Sequence, residues 1–120
     1  MDFSKAKESL DASELCLGAG LYNACANRAY YAMFQSAVAA LERQGFQRNT
    51  WSHPGLQRTF TQELVHRRKL CPNQFSTYLH KGLYWRNMAD YSDTDISKKR
   101  AEQLLNWARN FVSKIEEMIS

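Results

Sequence analysis

The sequence predicts an all-α fold, a single up-and-down bundle of about five helices filling residues 1–120 as one domain. Three observations carry this. Apolar residues recur at helical spacing along the whole chain. Valine and isoleucine total only six, and no window alternates as a half-buried strand would. The periodic segments are divided by glycine, proline and short polar stretches, so connections are short and successive helices should be antiparallel neighbours.

The first helix is expected from about Asp2 to Leu17, with Phe3, Ala6, Leu10 and Leu17 on one side. Gly18 and Gly20 break it, as glycine does just past helix ends. The second, from about Tyr22 to Gln44, places Ala26, Ala29, Tyr30, Met33, Phe34, Ala37 and Leu41 on one face. Its alanines allow a neighbouring helix axis to come close. Gly45 ends it, and the polar loop QGFQRNTWS follows. A third helix starts near His53-Pro54, proline being tolerated in the first turn. It runs to about Arg68 with Leu56, Phe60 and Leu64 inward. Pro72 opens the fourth, where Phe75, Tyr78, Leu79, Gly82, Leu83 and Ala89 recur helically. SDTD interrupts with residues that favour caps, because their side chains accept from orphan backbone N–H groups. The fifth spans about Ile96 to Ile119, with Leu104, Leu105, Ala108, Phe111, Val112 and Ile115 as its face.

With 44% hydrophobic and 23% charged residues the chain reads as a soluble globular protein. No apolar run reaches the roughly 20 residues that span a bilayer. The amphipathic start MDFSKAKESLDASEL lacks a secretory apolar core, so no membrane and a cytoplasmic location are expected. Cys16, Cys25 and Cys71 are odd in number and form no C-x-x-C, which argues against a disulfide framework or a zinc ribbon. His53, His66 and His80 are 13 and 14 residues apart, so no helical pair can chelate from one face, and no metal is expected. Glycine-rich phosphate loops are absent, and no cofactor is expected. The net charge of +4 is concentrated between Arg43 and Lys69, which holds six basic residues and one acid, Glu63. Such a stretch attracts phosphate, or is simply a solvated helix face.

Two positions carry candidate chemistry. Arg86 and Asp90 are four apart and share a helix face, the geometry of an ordinary ion pair of about 0.2–0.5 kcal/mol. Tyr91 lies about 140° around a straight helix from Arg86, so the two converge only where the helix ends or where a second subunit contributes. Arg28 sits in the most apolar helix with Ala24 and Ala32 one turn away. Its partner must come from elsewhere: a carboxylate on another helix, which is the ordinary case, a second chain or a ligand phosphate. His53 in SHPGL reads as a capping residue with no nucleophile beside it.

The run NRAYYAMFQSAVAALERQG (27–45), the SHPGL turn (52–56), RNMADYSD (86–93) and the final amphipathic helix together resemble HEPN domains. More narrowly they resemble the small stand-alone prokaryotic branch that carries A-Y-Y-A-M-F in the second helix and R-x-x-A-D-Y near the end of the fourth. The likeness spans nearly the whole chain in order. It implies a helical bundle that forms homodimers. Family members include ribonuclease toxins and RNA-processing modules, and others bind nucleotides or work beside a nucleotidyltransferase partner. In the ribonucleases an arginine, a polar residue, a short spacer and a histidine meet in a dimer cleft. There the arginine stabilises phosphate charge and the histidine moves the proton of the attacking 2′-hydroxyl.

By that resemblance Arg86 is the arginine and Asn87 its polar neighbour, while Tyr91 stands in the histidine's place. Tyrosine, with an ordinary pKa near 10, is a poor proton acceptor at neutral pH. In some toxin members a tyrosine two residues past the histidine accepts AMP; Asp93 stands there in this chain. The leading expectation is therefore a homodimeric nucleotide- or RNA-binding accessory module acting with a nucleotidyltransferase partner, with Arg28, Arg86 and Asn87 contacting phosphate; the toxin–antitoxin setting belongs to the alternative that follows. One alternative is a ribonuclease toxin using Arg86 with Asp90 or Tyr91 as proton carriers. The other is a purely structural interaction module.

Overall fold

The structure is a computed structural model that describes residues 3–120. It is an all-α bundle: α1 (Phe3–Gly18), α2 (Tyr22–Arg43), α3 (His53–Phe60), α4 (Asn73–Tyr91) and α5 (Lys98–Ile119). The expected start of α1 at Asp2 lies outside the described residues. α3 does not stop as a plain helix near Arg68. It runs directly into a wider π-helical segment, Thr61–Arg67, closed by Arg68 N–H donating to Glu63 O at 3.0 Å. Lys69 then turns the chain with φ 53, and the backbone amides of Leu70 and Cys71 both donate to Leu64 O.

The other helix ends follow from capping chemistry. At the end of α2, Gly45 adopts φ 95 while Phe46 N–H donates to Leu41 O and Gly45 N–H to Glu42 O. These are the paired bonds of a Schellman cap, and the same pattern closes α1 at Gly20. The α3 cap is Ser52, whose hydroxyl accepts from Gly55 N–H at 3.0 Å. His53 is therefore the first helical residue and not the cap. Ser97 caps α5 by accepting from Arg100 N–H at 3.1 Å. The loop before it is fastened to the start of α2, because Asn23 accepts from Ile96 N–H at 2.8 Å and donates to Asp95 at 3.0 Å.

α2 is the central element and packs against α1, α4 and α5. It buries Cys25, Ala26, Ala29, Tyr30, Ala32, Met33 and the run from Ser36 to Leu41. Its small side chains let neighbours approach closely. On α4, Gly82 lies so near that a Cβ there would stand 2.8 Å from Met33 Cε and 3.3 Å from Tyr30 Cδ1. α1 presents Ala6, Ser9 and Ser13 to α2, and Ser13 donates to Cys25 O at 2.8 Å. A chain of stacked rings, Phe60–Phe111–Phe75–Tyr78–Trp107, joins α3, α4 and α5 at centroid spacings of 4.5–5.8 Å. All three cysteines are free thiols; burial raises Cys25 above its ordinary value and pushes Cys71 up to about 11. No described helix is long and apolar enough to cross a membrane.

Candidate functional site

The close packing of α2 on α4 brings the two arginines singled out in the sequence to one place. On α4, Arg86 Nε lies 3.0 Å from Asp90 Oδ2, and Arg86 Nη1 donates to Asn87 Oδ1 at 3.1 Å. On α2, Asn27 donates to the same Asp90 oxygen at 2.8 Å. The Asn27 carbonyl in turn accepts from Arg28 Nε at 2.9 Å and Nη2 at 2.7 Å. Arg28 therefore does not reach a carboxylate on another helix. Its acceptor is the neighbouring amide, which Asp90 holds in position from α4.

Both guanidiniums lie against the ring of Tyr31. Arg28 Cζ and Arg86 Cζ are each 5.2 Å from its centroid. α4 ends at Tyr91, whose ring lies 5.5 Å from Arg86 Cζ. The convergence of Arg86 and Tyr91 thus occurs within one chain, at the helix end.

The Arg86 side chain is only 15% exposed, so this pair is more than an exposed i, i+4 contact. Its Nε–H is not aimed at Asp90: the atom is buried and donates no hydrogen bond, despite the short separation. Arg86 Nη2 and Arg28 Nη1 also make no hydrogen bond to any other described residue. Two cations face one anion, which leaves a net positive charge with guanidinium donors to spare. Guanidiniums in this state suit phosphate, whose oxygens match their planar fork. Asp90 Oδ2 is held by Asn27 and Arg86, and Tyr91 is 76% exposed at the rim.

One residue of this neighbourhood was not singled out for chemistry by the sequence. His53, at the start of α3, packs in a cluster with Tyr30, Tyr31 and Phe34 at ring spacings of 5.1–6.2 Å. Its Nδ1 is 2.6 Å from the Tyr30 hydroxyl. Burial, and then the positive charge of Arg86, hold the imidazole below its ordinary pKa. Burial also raises the Tyr30 phenol well above its ordinary range, so it stays protonated. No sequence signal links His53 to Tyr30 or Arg86, since only the docking of α3 on α2 brings them together. Among the described residues no group of three or more His, Cys, Asp or Glu gathers that could hold a metal ion.

The comparisons with known proteins agree with this architecture. Residues 3–118 match the HEPN domain. A protein of Methanocaldococcus jannaschii named "Putative toxin" is 31% identical over 116 residues, spanning 96% of this chain and 77% of that one. The match over almost the whole chain, on an all-helical bundle with Arg86 and Asn87 at the end of α4, establishes that this chain belongs to the HEPN domain family.

Proposed function

We propose that this protein binds the phosphate of RNA or of a nucleotide at the Arg28–Tyr31–Arg86 cluster, as the homodimeric HEPN component of a toxin–antitoxin pair. The observation that carries the reading is the convergence of two guanidiniums on one tyrosine ring, with Asp90 against Arg86 and an amide, not a carboxylate, as the acceptor for Arg28. That arrangement keeps the arginines apart and oriented without neutralising them. Asn87, exposed beside Arg86, adds an amide donor to the same rim. The relative named as a toxin supports the toxin–antitoxin setting. Homodimer formation and a nucleotidyltransferase partner, both implied by the family resemblance, belong to the same proposal.

The direct test is fluorescence anisotropy with a labelled, non-cleavable 2′-O-methyl RNA strand, with ATP as competitor. Binding should be saturable, and Arg86→Ala should weaken it at least tenfold, as expected when a charge-assisted contact of about 1.5–3 kcal/mol is lost. Equal affinity in wild type and Arg86→Ala, or no binding to either ligand, would refute the reading. In cells, induction of the protein alone should slow growth, and Arg86→Ala should relieve it.

A further inference from the structure

We propose that the groove between the π-helical segment and α4 is a docking site for an extended, acidic stretch of a partner protein. It stands apart from the phosphate-binding reading above, since it shares no residue with the Arg28–Tyr31–Arg86 cluster. The groove has a volume of about 500 Å³. Gln57, Arg58, Thr61, Gln62 and His66 line one side, Ser76 and His80 the other. One bond across it sets the register of the two walls: the Thr61 and Ser76 hydroxyls are 2.7 Å apart. The connection from Arg68 to Pro72 is short, so the walls run antiparallel. Arg58, three residues before Thr61, and His80, four after Ser76, therefore share the end away from that connection. His66, five after Thr61, stands at the other end. At about 1.5 Å per helical residue, the separation of Arg58 and His66 makes the groove on the order of 10 Å long. About three residues of extended chain, at roughly 3.3 Å each, fill that length.

The side chains along the groove are unemployed. Arg58, Gln62, His66 and His80 make no side-chain hydrogen bond, ion pair or ring contact with any described residue. Their neighbours in the same basic stretch do: Arg67 and Arg68 approach Glu63, and Arg48 lies over Trp51. All four are exposed at the surface, so a partner reaches them without any opening of the fold. The backbone that carries Gln62 and His66 is a π-helical segment, a rare departure from the α-helix that is frequent at functional sites.

The composition of the lining selects the occupant. No carboxylate lines the groove, and Glu63 on the same segment is committed to Arg67 and Arg68. Arg58 gives the groove a permanent positive charge, which favours an acidic partner. An aspartate or glutamate offers Arg58 the planar pair of oxygens that matches a guanidinium fork. The remaining groups, amides, hydroxyls and imidazoles, can both donate and accept. A peptide backbone presents N–H and C=O groups side by side and engages both kinds. A nucleic-acid backbone presents acceptors alone, and the single arginine leaves most of its phosphates unpaired along this length. The two imidazoles stand at opposite ends and do not form a chelating pair for a metal ion.

The test uses the full-length protein and a fluorescein-labelled peptide of alternating glutamate and threonine, with the glutamine–threonine peptide as its uncharged counterpart. Anisotropy should saturate with the acidic peptide and fall by about tenfold or more in affinity with the uncharged one, the scale of a charge-assisted contact. Arg58→Ala should weaken the acidic peptide by a similar factor, while Arg43→Ala, which removes an equal charge outside the groove, should stay within about twofold. The His66 and His80 ring signals should shift during the same titration followed by NMR, and an excess of the 2′-O-methyl RNA strand should not displace the peptide. Thermal melting of the variants separates lost binding from unfolding. Absence of saturable binding, equal affinity for the uncharged peptide, or unchanged affinity in a folded Arg58→Ala overturns the proposal. Equal losses in Arg43→Ala and Arg58→Ala also overturn it, because the attraction would then be diffuse. Displacement by RNA, or histidine shifts caused by RNA and not by peptide, would make the groove part of a nucleic-acid path instead. None of these outcomes bears on Arg86, so the phosphate-binding reading is judged separately.

Discussion

Arg86 is held by Asp90 at 3.0 Å and by the rings of Tyr31 and Tyr91 at 5.2 and 5.5 Å. A planar guanidinium fits between rings while keeping donors at its edge, and a lysine ammonium does not. Arg86→Lys should therefore keep the charge yet lose most of the RNA affinity, measured by the same anisotropy titration. His53 gives a pH signature of its own. Its folded-state pKa lies below the ordinary 6.5, so between the two values the unfolded chain binds more protons than the folded one. The stability contributed by neutral His53 is complete above pH 6.5 and declines as pH falls through the folded value. Melting temperature should drop on acidification below pH 6.5, and His53→Asn should flatten that slope; an unchanged slope would show that other groups dominate it. At this scale the sequence was readable where partners are local. The Arg86–Asp90 pair follows from i, i+4 spacing alone. The acceptor for Arg28 did not, because Asn27 becomes a fixed acceptor only when Asp90 of another helix holds it. The Tyr30–His53 bond, 23 residues apart in sequence, is likewise a product of tertiary packing.

Among the elements, the helices themselves were legible because their ends carry chemical signals: glycines after α1 and α2, and prolines at the starts of α3 and α4; the serine caps Ser52 and Ser97 were not singled out, and the α3 cap was read one residue late, at His53. The π-helical continuation of α3 was not legible, since one extra residue per turn leaves no residue type as its mark. Nor was the α1 stripe read in full, because two of its buried residues, Ser9 and Ser13, are polar and look solvent-facing until their partners are known. The π segment ends in a backbone turn that a side chain resists. Lys69 at φ 53 lies in the left-handed region that glycine enters at little steric cost. Lys69→Gly should stabilise the protein by up to about 1 kcal/mol in urea denaturation, after the entropy glycine adds to the unfolded chain. Gly82 is the opposite case. Alanine would improve helix propensity by about 1 kcal/mol, but its Cβ would meet Met33 and the Tyr30 ring. Met33 Cε can move aside, whereas Tyr30 is fully buried and tied to His53. Overpacking of about 1–3 kcal/mol should win. Gly82→Ala should be less stable than wild type, and a gain in stability would mean that α2 and α4 have room to separate.

Across the whole molecule, the basic stretch from Arg43 to Lys69 read in the sequence either as a phosphate-attracting patch or as a solvated helix face. The fold uses much of it internally. Arg68 donates to the backbone and side-chain oxygens of Gln44 and lies over Phe46, Arg67 pairs with Glu63, and Arg48 lies over Trp51. The arginines left with spare donors at a shared ring come instead from two helices far apart in sequence, which charge counting along the chain could not reveal. Sedimentation at micromolar concentration should give about twice the monomer mass if the cluster works in a homodimer, and a monomer throughout would count against that part of the proposal. The most direct measurement of the central claim reads the guanidiniums themselves, by nitrogen–proton NMR of the arginine Nε–H groups during titration with a 2′-O-methyl RNA strand. The Arg86 and Arg28 signals should shift saturably and together, and the shifts should weaken with added salt as counterions compete for the phosphates. Arg86 and Arg28 signals that stay fixed while the strand is present, or shifts confined to Arg43, Arg48, Arg58, Arg67 and Arg68, would contradict a phosphate site at the meeting of α2 and α4.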